Sequence, residues 1–476
     1  MTTSRNANSS PLRWLRPEWL LPLFVAFVFL TGGSARHDVA SLPLLRGLSA
    51  TVLVAVLALH WQQIAEVRRP LLAVAVAALV VLIQIVPLPH GIWTLLPGHD
   101  IVEQVDAATG VGAIARSWSL NPFGSWNALF SLLVPAAALV CLAASGEAAG
   151  RPLVTFLLII ITIAAVFGIF QLVGNGQSAT YFYRITNRDS AVGLMANRNH
   201  HALLLACAMP LIALWMSHWR GRARSFVGYQ ITAGVALALL FPLIALTGSR
   251  AGLVLGAIGF VAALCLYHAP DYARTRRDVR VLQIDVRIIW TAMVVGLLGL
   301  SLLAGRATSF DRLVSMSTQE IDRVALLPTL WRMVTDYFPF GSGAGSFVPL
   351  FKIVEPEALL NPSYYNHAHN DFVELLIEHG IFGAILIIVA ALAWARAAVS
   401  IWRADETARR SFRWRAGATG LWIVLLCAVA SIVDYPLRVP SFQLLVAICV
   451  LWIIRSLHRP AADRTGDVAT SSSQLL

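Results

Sequence analysis

The stretch YYNHAHNDFVELLIEHGIFGAILIIVAALAW (residues 364–394) changes character halfway along. Its first half gathers His367, His369 and His379 with Asp371, Glu374 and Glu378, and from Ile381 onward it is apolar. A run of about 20 apolar residues is enough to cross the hydrocarbon of a bilayer. The second half therefore reads as a membrane span over 379–399, entered from a polar cluster. Outward from it the same signal recurs, giving about twelve candidate spans. They lie at 18–34, 42–60, 70–88, 126–145, 152–173, 200–218, 228–247, 250–268, 286–304, 379–399, 415–433 and 437–456. The whole chain is 58% hydrophobic and only 13% charged, so its 476 residues form an all-α polytopic membrane protein, not two or three soluble domains.

A net charge of +11 would suggest nucleic acid for a soluble protein. Here it reads as arginine retained at cytoplasmic ends. With the N-terminus inside, roughly 23 of the 36 basic residues fall on cytoplasmic segments. Both termini are then cytoplasmic. The expected organisation is a cytoplasmic N-terminus (1–17), nine helices (18–304), a large periplasmic loop with short helices (305–378), three further helices (379–457) and a disordered cytoplasmic tail (458–476). An uncleaved first helix fits better than a signal peptide. The five cysteines sit inside apolar runs without CxxC spacing and read as small core residues.

Three places outside the spans can carry chemistry. Thr247, Gly248, Ser249 and Arg250 form a very short external hairpin, and Arg250 either snorkels to headgroups or faces an anionic lipid. Gly252 and Gly256 after it permit close helix contact. The segment YFYRITNRDSAVGLMANRNHHALLL brings Arg184, Arg188 and Arg198 in front of a span, with His200 and His201 at its start. Interfacial anchoring is the plain reading. Outer-side positive charge runs against the topology bias, however, and a diphosphate would reward it, because arginine grips phosphate through paired hydrogen bonds. In the opening stretch, Asp371 and Glu374 have capping-box spacing, so a helix starts near Asp371 with Glu374 and Glu378 on its solvated face. His367 and His369 precede that start, flanked by Asn366 and Asn370. An imidazole at the positive end of a helix dipole tends to stay neutral and can accept a proton, while nearby carboxylates push the other way.

Other candidates read as structure. His367-x-His369 lacks a third ligand at helical spacing, so no metal site is expected. Glu320 with Asp322, and Glu355 with Glu357, are the nearest acidic pairs, and TQEIDR fits a solvated amphipathic helix better. Gly341, Gly343 and Gly345 imitate a phosphate loop but follow no strand, and a turn is favoured.

Taken together these residues resemble the O-antigen ligase and polymerase superfamily of bacterial inner membranes. HNDFVELLIEHGIFG is similar to its signature: His369 and Asn370, then nine residues, then Gly380 and Gly383. LTGSRAG resembles its Ser-Arg turn and GLMANRNHHA its Gly-x-x-x-Asn-x-Asn element. The likeness covers about residues 150–435. It implies a metal-independent, inverting membrane glycosyltransferase without a cofactor. The donor would be a glycan on undecaprenyl diphosphate. The acceptor would be lipid A–core for a ligase, or a lipid-linked glycan for a polymerase. Membrane lipids, not nucleic acid, would be its other partners. Carried over, His369 would be the general base at the periplasmic face. Arg250 would bind the diphosphate with one of Arg188, Arg198 or Arg184, and His367, Asn370 and Asn366 would give support. A transporter or lipid-linked oligosaccharide flippase is the rival reading. It fits less well because the spans are nearly charge-free and the halves dissimilar.

Overall fold

The computed structural model describes residues 17–174, 179–217, 223–267, 285–304, 318–360 and 365–458. Among them the only sheet is a two-residue antiparallel ladder, β1 (Pro87–Leu88) with β2 (Arg116–Ser117). The rest is helical. In chain order the helices are α1 (Pro17–Thr31), α2 (Leu42–His60), α3 (Arg68–Ile85), α4 (His90–Trp93), α5 (Asp100–Thr109), α6 (Pro122–Ser131), α7 (Leu133–Ala144), α8 (Arg151–Val173) and α9 (Arg198–Ser217). There follow α10 (Ala223–Leu246), α11 (Arg250–Leu266), α12 (Val286–Ala304), α13 (Thr318–Tyr337), α14 (Phe347–Val354), α15 (Asp371–Trp402), α16 (Glu406–Arg410), α17 (Phe412–Ala430) and α18 (Pro440–Leu457).

Nine helical segments among the described residues are long and apolar enough to cross a bilayer, and three shorter apolar helices accompany them. Each sequence-read span falls on one of these twelve, but the full complement of spanning length is not reached. Helix α1 has 15 residues and α11 has 17, or about 22 and 26 Å of helix. The chain after α1 turns sharply: a Cβ on Gly33 would lie 2.2 Å from the Leu194 carbonyl oxygen. That close approach ends the first span earlier than hydropathy implied.

Helix α9 is the central post, with nearly all of its length buried. It packs along α11 through small residues. A Cβ on Gly252 would touch Ala202, and one on Gly259 would touch the Ala206 carbonyl. The pairing of 252 with 202 and of 259 with 206 means that α9 and α11 run parallel, so both N-termini lie at one end of the bundle. Helices α17 and α18 are antiparallel, with Gly417 against Ser456 and Gly420 against Cys449.

The longest helix, α15, is broken at Gly380, whose φ of 52° and ψ of −126° no helix tolerates. A Cβ there would sit 2.1 Å from the Pro339 oxygen, so only glycine fits. The break strands carbonyl groups, and the loop before α14 takes them up. Ser342 N donates to Ile377 O at 2.9 Å, Gly343 N to Glu378 O at 2.9 Å, and Ile381 N to Pro339 O at 2.8 Å. The glycine-rich loop is thus a structural turn. Its N–H groups are spent on the kink, on Glu378 Oε1 (Gly345, 2.9 Å) and on Gln84 Oε1 (Ala344, 3.0 Å), not held open for phosphate.

Candidate functional site

The segment before α15 ends on His369, one of two non-glycine residues with positive φ (50°) among those described. Such a conformation costs of order 1 kcal/mol and persists only where the surroundings hold it. Here Asn370 is the N-cap, its Oδ1 accepting from Phe372 N and Val373 N at 3.1 and 3.0 Å. Its Nδ2 reaches Ile432 O at 2.9 Å. The cap is therefore Asn370, not the Asp371–Glu374 box, and it ties the histidine to the hairpin between α17 and α18.

That hairpin supplies Asp434, which is 2% exposed. Asp434 Oδ1 lies 3.4 Å from His369 Nδ1 and 3.6 Å from His200 Nε2, and accepts from its neighbour Tyr435 N at 3.0 Å. Its Oδ2 accepts from Asn199 Nδ2 at 2.6 Å and Asn197 Nδ2 at 3.2 Å. Burial pushes the Asp434 carboxyl up, but His200 and His369 outweigh it and hold the group well below the usual carboxylate range. Tyr435 stands among the histidines, with ring centroids 4.3 Å from His367, 5.1 Å from His369 and 5.1 Å from His200. Asn366 Nδ2 donates to its hydroxyl at 3.3 Å.

Four residues further on, Arg438 is enclosed by carboxylates. Its guanidinium lies 3.4 Å from Asp371, 3.2 Å from Glu374 and 3.1 Å from Glu378. Burial works against the cation, but the three carboxylates hold its pKa above the ordinary arginine value. Asp371 is fixed further by Ser431 Oγ (2.9 Å) and Leu437 N (3.1 Å). Glu374 accepts from Ala368 N at 2.8 Å and lies 2.9 Å from His367 Nδ1. The sequence reading of Glu374 and Glu378 as a solvated face is therefore wrong. All three carboxylates are buried, because Arg438 from a distant segment provides the counter-charge that makes burial tolerable. The two candidate histidines diverge: His367 Nδ1 meets Glu374, and His369 Nδ1 meets Asp434.

Arg198 opens α9, its N–H donating to Asn187 Oδ1 at 3.0 Å. A Cβ on Gly248 would lie 3.6 Å from its Nη1, so its guanidinium reaches the hairpin that carries Arg250. Arg250 is the first residue of α11, behind Ser249, whose Oγ accepts from Gly252 N at 2.9 Å. Two parallel helix N-termini with an arginine each make a ready anion site. Asn199, next to Arg198, is the residue bonded to Asp434, so this pair adjoins the His369 cluster. Arg184 is 82% exposed and pairs with Asp38 at 3.4 Å, and Arg188 is exposed on the same loop. Among the acidic pairs, the side chains of Glu320 and Asp322 lie outside the described residues.

Asp434, Tyr435 and Arg438 were not singled out from the sequence. The available signal was a charged pair in SIVDYPLRVPS (431–441), a short turn between two spans on the same side as the histidines.

The fold is that of a polytopic helical membrane protein, and at one end it sets a histidine beside a buried carboxylate, with two arginine-bearing helix N-termini adjoining. Residues 235–388 match the family model described as O-antigen ligase (Wzy_C). Over that third of its length the chain is similar to the O-antigen ligase family of membrane proteins, which acts in polysaccharide biosynthesis. The matched span holds Arg250, His369 and the kinked start of α15. No curated protein matches the chain.

Proposed function

We propose that the protein transfers a glycan from undecaprenyl diphosphate to a hydroxyl of an acceptor sugar, at the periplasmic face of a bacterial inner membrane. The reading includes twelve spans and cytoplasmic termini. The observation that carries it is His369, held by a strained backbone with Asp434 beside Nδ1. A carboxylate there favours the tautomer protonated on Nδ1 and makes Nε2 the basic nitrogen. Nε2 takes the proton of the acceptor hydroxyl as its oxygen attacks the anomeric carbon. The bond from that carbon to the diphosphate oxygen breaks, and the configuration inverts. The negative charge that develops on the departing diphosphate meets Arg250 and Arg198 at the N-termini of α11 and α9. Arg198 is preferred to Arg188 and Arg184 because its guanidinium adjoins the Arg250 hairpin and Asn199 binds Asp434. No step needs a metal ion. Passing the glycan to lipid A–core makes the protein a ligase, which is the role we favour, and passing a growing chain to the next lipid-linked unit would make it a polymerase.

The test is transfer by purified protein in proteoliposomes, with donor and acceptor supplied. His369→Ala and Arg250→Ala should each abolish multiple-turnover transfer, and a chelator should leave the rate unchanged. Normal product from both variants would remove the catalytic assignment.

A further inference from the structure

Beside Asn366 and His367 lies a cavity of about 500 Å³, in the range of small-molecule sites. It is walled by the loop after α1, the first turn of α2, α6, α14 and the segment before α15. It does not include His369, Arg198 or Arg250. Its basic residues are Arg36, Arg46, Lys352 and Arg438, and its acidic ones are Glu374 and Glu378. Arg438 lies between those two glutamates and Arg36 is paired with Asp38 at 3.0 Å, so the wall's other cations are Arg46 and Lys352.

Two polar groups on this wall have no protein partner among the described residues. Arg46 is half-buried in the first turns of α2 and has no hydrogen bond or ion pair among the described residues. The Gln443 Oε1 atom is buried without a donor. An unpaired cation and an unpaired acceptor around one void ask for a ligand with an anionic group and a hydroxyl donor. Asn127 adds a carboxamide to the wall, and Phe123, 76% exposed, offers a ring face to sugar C–H groups. His367, also on the wall, shares Tyr435 with His369. A ligand in the cavity is thus one aromatic ring away from the proposed base.

We infer that this cavity is the acceptor subsite and takes a sugar bearing a carboxylate or phosphate, with the anion on Arg46 and a hydroxyl on Gln443 Oε1. This rests on the glycosyl-transfer reading above. An anionic glycerol headgroup has the same chemistry, and the experiment separates the two.

Binding is measured on full-length protein in nanodiscs of zwitterionic lipid, with a hyaluronan tetrasaccharide as the acidic probe and chitotetraose as the neutral one. The acidic probe should bind at least about tenfold more tightly, the worth of one charge-assisted hydrogen bond. Arg46→Gln and Gln443→Leu should each remove about that factor. Arg46→Lys should restore part of it, which a merely misfolded variant would not. His369→Ala should bind the acidic probe as the parent does while failing to transfer, so failure of the base assignment and failure of the subsite show in different readouts. Equal binding of the two probes, binding of neither at millimolar concentration, or indifference to both substitutions overturns the inference. Loss of acidic-probe binding when phosphatidylglycerol is included assigns the cavity to a headgroup and also overturns it.

Discussion

Replacing Asp434 by Asn keeps the shape of the side chain and removes one acceptor. In the parent, Oδ1 accepts from Tyr435 N and contacts both histidines, while Oδ2 accepts from Asn199 and Asn197. The new NH₂ group can take either place. At the Oδ2 position it would face two carboxamide donors, leaving two buried N–H groups unpaired at about 1–3 kcal/mol each. At the Oδ1 position it opposes Tyr435 N–H and the longer contact from Asn197 Nδ2 (3.4 Å), which keeps its shorter bond to the other atom, and it can donate to His369 Nδ1. The second orientation costs less and wins. His369 Nδ1 then becomes the acceptor, its proton moves to Nε2, and the ring can no longer serve as base there. Loss of a general base is worth about 10²–10⁴ in rate, or roughly 3–5 kcal/mol in the barrier. The assay is single-turnover transfer from a fluorescent undecaprenyl-diphosphate glycan in proteoliposomes, with donor binding measured separately. Donor affinity should hold while the rate falls by at least about a hundredfold. A folded Asp434→Asn protein that transfers within about threefold of the parent would refute the tautomer argument.

Arg438→Met strands Asp371, Glu374 and Glu378 without their counter-ion and should cost about 3–5 kcal/mol, seen as a lower thermal midpoint in detergent. An unchanged midpoint would mean the cage contributes nothing. Gly380→Ala must move backbone, because its Cβ would lie 2.1 Å from Pro339 O, whereas Gly91→Ala meets open space; only the first should reduce folded yield, and equal yields would contradict the kink geometry. The lowered Asp434 pKa also has a sign. A carboxyl depressed in the folded state stabilises it above the unfolded value of about 3.9 and loses that contribution as pH falls through the folded value. The gap in thermal midpoint between parent and Asp434→Asn should therefore narrow as pH falls below about 4. A gap that widens below that pH would reverse the assignment of cause.

Hydropathy located the apolar helices, because the cost of a charge in hydrocarbon writes itself into composition. It did not give span lengths, since the end of α1 is set by the contact of Gly33 with Leu194 O, invisible in a linear sequence. His369 was legible through its spacing to Gly380 and Gly383, and the structure gives that spacing a reason. Gly380 makes the kink, and a Cβ on Gly383 would meet Leu375 O at 2.5 Å. Glu374 and Glu378 were misread because helical periodicity places them on one face but cannot reveal Arg438, sixty residues from Glu378, waiting opposite it.

The two buried charge clusters belong to a single hairpin, and that placement has a consequence for precision. Asp434 and Arg438 are four residues apart, and the backbone between them is pinned to α15 at several points. Asp371 N bonds Ser431 O at 3.0 Å, and Asp371 Oδ2 accepts from both Ser431 Oγ and Leu437 N. Arg438 then reaches three carboxylates on successive turns of the same helix segment, 371–378. A cluster of this kind is weak support for net stability, because removing the charges from water offsets much of the attraction. It is strong support for register, since sliding α15 by one residue would break every ion pair at once. The segment it fixes begins two residues after His369, and the hairpin it fixes carries Asp434. The cage at Arg438 thus sets the His369–Asp434 separation, and the kink at Gly380 lets this short polar helix keep that alignment while the apolar remainder of α15 takes its own direction.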